Sequence, residues 1–132
     1  RGACYQGGEV GVRIMESYNK LVRDKIPEIL DKKGVVYEQH IASEEEFRAE
    51  LIRKLDEEVR EFIAQSNPEE LADIIEVIEA LKKLKGYENT ETIRQKKLMK
   101  RGGFEKKLIL KFLMIKNLFQ VLILVQKHML VV

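Results

Sequence analysis

An all-α fold, an antiparallel helix bundle, is what this sequence predicts, and three observations predict it. Apolar residues recur every three or four positions from Phe47 to Phe62 and again from Leu71 to Leu81. Helix-start signals stand before both runs, Ser43 with Glu46 and Asn67 with Pro68. The turn between the runs is so short that the two helices must fold back as a hairpin.

The elements follow in chain order. Residues 19–33 read as a short amphipathic unit, with a helix starting at Pro27 and stopping at Gly34. Residues 35–42 are rich in β-branched side chains and predict a short extended segment. Ser43 and Glu46 form a capping box that opens a helix from about Glu44 to about Gln65. Its apolar face is Phe47, Leu51, Leu55, Val59 and Phe62, joined by Ile52 and Ile63. The next helix starts at Asn67-Pro68, with Glu70 at its third position, and Gly86 ends it. Its buried face is Leu71, Ile74, Ile75, Ile78 and Leu81, with Val77 and Leu84 off that face. A third helix spans Thr90–Lys100 and stops at Gly102-Gly103. A lone hairpin buries too little, so the third helix and a second subunit are expected to complete the bundle.

With 132 residues the chain is long enough for one domain. Apolar residues are 45% and charged residues 35% of it, a composition suited to a globular fold with a charged surface. Net charge is +2, from 24 basic and 22 acidic side chains. That near balance argues against nucleic acid as a partner, which would call for a basic excess. Cys4 is the sole cysteine, and His40 and His128 are far apart in sequence. An intramolecular disulfide and a Cys/His zinc site are therefore excluded, which fits a cytoplasmic setting.

The two ends differ from the middle. Residues 1–14 carry no period, so Met15 reads as the natural start, unless the leader is a flexible native arm. The domain is expected to cover residues 15–110. The stretch from Leu108 to Val132 is strongly apolar, and residues 111–132 form an atypical tail. A membrane span needs about 20 mostly apolar residues. Here Lys111, Lys116, Asn117, Gln120, Gln126 and Lys127 break every such window, so no membrane segment is expected. The tail reads as a buried helix or strand, a partner-binding surface, or the product of an altered reading frame.

Four acids carry the chemistry. With Leu55 at the centre of the first long helix's apolar face and ~100° per residue, Glu58 falls at the face's edge and Glu61 just beyond it. Glu57 lands nearly opposite, in solvent. On the second long helix Glu70 and Asp73 are likewise three apart at the margin of the apolar face. The hairpin brings the two pairs together, and four facing carboxylates repel unless a cation sits between them. Oxygen ligands without His or Cys call for Mg²⁺ or Mn²⁺. The plainer alternative makes Glu70 a capping residue and the helix-interior glutamates solvated, with Lys54 pairing Glu58 at i, i+4.

These residues resemble a known family. Glu57-Glu58-Val59-Arg60-Glu61 followed by Glu70-Leu71-Ala72-Asp73 resembles the EExxE…ExxD signature of the MazG-like all-α nucleotide pyrophosphohydrolases. Asn19 to Glu28, NKLVRDKIPE, is similar to the opening of the phosphoribosyl-ATP pyrophosphohydrolase-like branch, and Arg101-Gly102-Gly103-Phe104 to its closing motif. The resemblance covers about Met15 to Leu110. It implies a helical homodimer or homotetramer that hydrolyses a nucleoside triphosphate between its α- and β-phosphates, giving monophosphate and pyrophosphate. It implies Glu58, Glu61, Glu70 and Asp73 as metal ligands, with Glu58 and Glu61 catalytic. Lys20, Arg23, Lys25, Lys97 and Arg101 become candidates for phosphate contact, and Asp24 is expected to orient Arg23 or cap a helix. Hydrolysis of phosphoribosyl-ATP in histidine synthesis, and a non-catalytic helical interaction module, are the alternatives.

Overall fold

The computed structural model describes residues 17–114 and 118–129. The leader 1–14 and its boundary at Met15 lie outside the described residues, as do 115–117 and 130–132 of the tail. The described residues form five α-helices and no strand: α1 Ile26–Lys32, α2 Glu44–Gln65, α3 Pro68–Lys82, α4 Thr90–Arg101 and α5 Leu118–Met129. Two compact units divide the chain within α4, one ending at Glu91 and the other starting at Thr92.

In the first unit, α1 starts beside Pro27 and ends where Gly34 adopts φ +68, a left-handed conformation that glycine reaches without a Cβ clash. Its N-cap is Lys25, without a side-chain cap, so Asp24 does not cap this helix. The segment expected to be extended, 35–42, forms neither helix nor strand. With no neighbouring strand to take its backbone groups, β-branched composition has nothing to pair with.

α2 has the predicted ends. Ser43 Oγ accepts the Glu46 N–H at 3.2 Å. The capping box is only half made, because Glu46 Oε1 lies 2.8 Å from His40 Nε2. Ser66, at φ +50, turns the chain, and Asn67 Oδ1 accepts the Glu70 N–H at 2.9 Å to open α3 behind Pro68. α2 and α3 pack as the antiparallel hairpin. α3 stops at Lys82, before Gly86, and the chain turns through residues 83–87. Arg48 Nη2 donates to the Lys85 carbonyl at 2.6 Å and stacks its guanidinium on Tyr87, fastening this turn to α2.

The core lies on a different line from the predicted one. Leu51, Val77 and Leu84 are its buried apolar residues, with Leu21, Phe47, Leu55, Ala80 and Leu81 packed around them. Val77 and Leu84 thus belong to the core, whereas Leu71, Ile75 and Ile78 are exposed. The apolar arc of α3 is wide, and the hairpin contact uses one edge of it. On α2, Ile52, Val59 and Ile63 are exposed in the same way, at roughly 80–120° from Leu51 on the helical wheel.

The second unit holds α4 from Thr92, α5 and the chain between them. Gly102 at φ +77 follows α4, as predicted. Residues 107–114 form no regular element, and the side chains of Leu108, Ile109, Leu110, Phe112, Leu113 and Met114 are exposed, not buried. No helix among the described residues is long and apolar enough to cross a membrane.

Candidate functional site

The cap at Asn67 and Pro68 sets the register of α3, so that Glu70 and Asp73 come up beside Glu58 of α2. Each of Glu58, Glu70 and Asp73 offers a carboxylate oxygen within 4.8 Å of the other two. Glu58 is only 5% exposed, which places it inside the core line and not at its edge. Glu58 follows Leu51 by seven residues, about two helical turns, and so shares its face. Glu57 is displaced in the same sense: its side chain is half-buried and not in open solvent. Glu61 is exposed and lies outside the three-carboxylate set.

One oxygen of the set is left over. Glu70 Oε2 is shut from solvent and has no hydrogen-bond partner among the described residues. Burial raises the Glu70 pKa above the ordinary glutamate range. The charges of the neighbouring Glu61, Asp73 and Glu58 push it further the same way. A buried anionic oxygen facing other anions is costly unless a proton or a cation joins it.

Cations already surround the cluster. Lys54 Nζ lies 2.5 Å from Glu58 Oε1 and 3.7 Å from Glu57 Oε1. Burial pulls the Lys54 pKa down, but its bond to Glu58 and the charges of Glu58, Glu57 and Glu61 outweigh this and hold it above the usual lysine value. Lys20 Nζ donates to Glu57 Oε1 at 3.1 Å. That bond holds the Glu57 pKa low, against the upward pull of burial and helped by the charges of Lys54 and Lys20. Arg23 Nη2 donates to Asp73 Oδ1.

Comparison with known protein families, curated proteins and solved structures finds no match.

Of the residues singled out in the sequence, Glu58, Glu70 and Asp73 converge. Lys20 and Arg23, expected to meet phosphate, instead pair with acids here. Lys25 is exposed at the start of α1, and Arg23 is oriented by Asp73 and not by Asp24. Lys97 and Arg101 are exposed on the part of α4 that belongs to the second unit. Lys54 stands between Glu58 and Glu57, whereas the sequence reading pairs it with Glu58 alone. The i, i+4 spacing to Glu58 and i, i+3 spacing to Glu57 carry that signal.

A groove lined by Ile52, Leu55, Ile78, Leu81, Tyr87 and Thr90 lies on the exposed apolar side of the hairpin. Its polar groups are already satisfied: the Thr90 hydroxyl donates to the Tyr87 carbonyl at 2.6 Å, and Lys82, also on the lining, donates to Glu79 at 2.8 Å. The acids are the opposite case, with an anionic oxygen left unmatched.

Proposed function

We propose that this chain is a metal-dependent nucleoside triphosphate pyrophosphohydrolase of the MazG-like helical type, releasing monophosphate and pyrophosphate. The observation that carries the reading is the meeting of Glu58, Glu70 and Asp73 from two helices, with Glu70 Oε2 buried and unmatched. A donor set of carboxylate oxygens alone suits Mg²⁺ or Mn²⁺. Glu58, Glu70 and Asp73 would hold the ion, with Glu61 beside Glu70 as the fourth acid. When bound, such an ion neutralises phosphate charge and acidifies a water.

The chain's own residues supply the rest. Lys54 holds the Glu58 carboxylate in place through a bond from one turn earlier. Glu61, the exposed acid of the group, would take the proton from water. Lys20, Arg23 and Lys25 lie on the segment leading into α1 and provide cations for a triphosphate's remaining charge. These groups address phosphates and leave the base open, so phosphoribosyl-ATP would be served by the same chemistry. A homodimer or homotetramer is part of this reading, as is a cytoplasmic setting; nucleic acid and membrane are not partners in it.

A non-catalytic interaction module is the second reading, favoured by the exposed apolar run from Leu108 to Met114. A panel of nucleotides, with pyrophosphate and orthophosphate measured separately, tests the first reading. Pyrophosphate release that EDTA abolishes supports it. Orthophosphate alone, or no turnover of any nucleotide, sinks it.

A further inference from the structure

The chain before α1 reaches the acids as a strap. Residues 19–23 form no helix, and Asn19 starts them with φ +29, a turn in the backbone. Leu21 packs against the core of the hairpin. Two ion pairs flank that anchor, Lys20 to Glu57 and Arg23 to Asp73, each to an acid of a different helix. Both are more than a third exposed on the cationic side, so neither pair contributes much stability of its own.

Asp73 therefore has two claims on it. It belongs to the three-carboxylate set, and it already carries the Arg23 guanidinium. A divalent cation held by Asp73 would share that carboxylate with the guanidinium, and like charges repel. We propose that Arg23 is the counter-ion of the metal-free site and exchanges partners on loading, yielding Asp73 to the metal and turning to the phosphate the metal brings. The inference rests on the metal reading above and adds its regulation: the strap's arginine competes with the metal and is freed by it. Leu21 is the pivot, because its apolar contact does not depend on the charge of the site. The device couples substrate contact to metal loading, since Arg23 is available to phosphate only when Asp73 has another cation. Arg23 is thus a positioning residue for the acids before it is a binding residue for substrate.

The test is a Mn²⁺ titration of the full chain, following free Mn²⁺ by electron paramagnetic resonance, without nucleotide. Three proteins are compared: the unaltered chain, Arg23→Gln and Arg23→Lys. Removal of an exposed competing cation predicts Mn²⁺ binding about two- to fivefold tighter in Arg23→Gln. Arg23→Lys retains the charge and is expected to stay near the unaltered chain. Equal or weaker binding in Arg23→Gln overturns the exchange while leaving the metal site standing. Failure of all three proteins to bind Mn²⁺ overturns the metal reading, and the exchange with it. A melting curve on each variant, read by circular dichroism, confirms that the hairpin is folded throughout.

Discussion

Lys54 Nζ stands 2.5 Å from Glu58 Oε1, and the glutamate it neutralises is the one buried charged residue among the described residues. The pair lies along one helix, one turn apart, yet it is not an ordinary surface pair. Glu58 is almost wholly covered, and Lys54 is only a quarter exposed. A buried carboxylate that loses its counter-ion pays its desolvation cost uncompensated.

Lys54→Met should therefore destabilise the metal-free protein, by about 1–3 kcal/mol. Urea unfolding in EDTA measures this. Saturating Mg²⁺ should recover much of the loss, because a bound cation replaces the missing charge. A loss too small to resolve from zero would mean that Glu58 is not held by this lysine.

Glu70 gives a pH dependence with a definite sign. Its folded pKa is raised, first by burial and then by Glu61, Asp73 and Glu58. Between the ordinary glutamate value and the raised one, the folded form binds more protons than the unfolded form, so stability falls as pH rises through that window. Glu57, held low chiefly by its bond from Lys20, acts in the opposite sense, with stability lost as pH falls through its folded value. Comparing Glu70→Gln with the unaltered chain isolates the first effect. In EDTA the variant should melt higher at neutral pH, and its advantage should vanish below the ordinary glutamate range. In saturating Mg²⁺ at neutral pH the order should reverse. A variant that melts lower at every pH in EDTA would contradict the repulsion on which the site is built.

The hairpin leaves an apolar side open. Ile52, Val59 and Ile63 of α2 and Leu71, Ile75 and Ile78 of α3 are exposed, and among the described residues the buried apolar ones are Leu51, Val77 and Leu84. So small a core is marginal alone, and a second copy covering that side is the expected remedy. Light scattering at micromolar concentration should give at least a dimer. Ile75→Glu, at a position outside the core, should shift it toward monomer and lower its melting temperature. A monomeric mass for the unaltered chain would contradict the expectation.

Much of this fold was legible because its signals are local. Ser43 and Asn67 mark their helix starts by short-range hydrogen bonds, and Gly34 and Gly102 mark stops by backbone conformation. The apolar face was less legible. Its period is clear, but a wide arc on α3 does not say which edge meets α2, so Val77 and Leu84 were misplaced. The same ambiguity displaced Glu58 from the core line to its edge, by taking Leu55 and not Leu51 as the centre. Glu70 and Asp73 were found because the cap fixes their register. The pairings of Lys20 with Glu57 and Arg23 with Asp73 span 37 and 50 residues, and no local pattern encodes contacts of that separation. Residues 35–42 show the converse: β-branched composition is a local preference, and a strand needs a partner.

Neighbouring glutamates on α2 provide the most direct test of the central claim, that a metal bound between α2 and α3 carries the activity. Glu58 belongs to the converging set, whereas Glu57 is bonded to Lys20 and Lys54 at its side. Glu58→Gln keeps the shape and removes one ligand charge; Glu57→Gln frees Lys20. The measurement is kcat/KM for pyrophosphate release with Mg²⁺, for both variants and the unaltered chain. Glu58→Gln is expected to lose at least about 10–100-fold, the scale on which even outer groups of a metal site matter, and Glu57→Gln only a few-fold. Equal, small losses at the two positions would contradict the account.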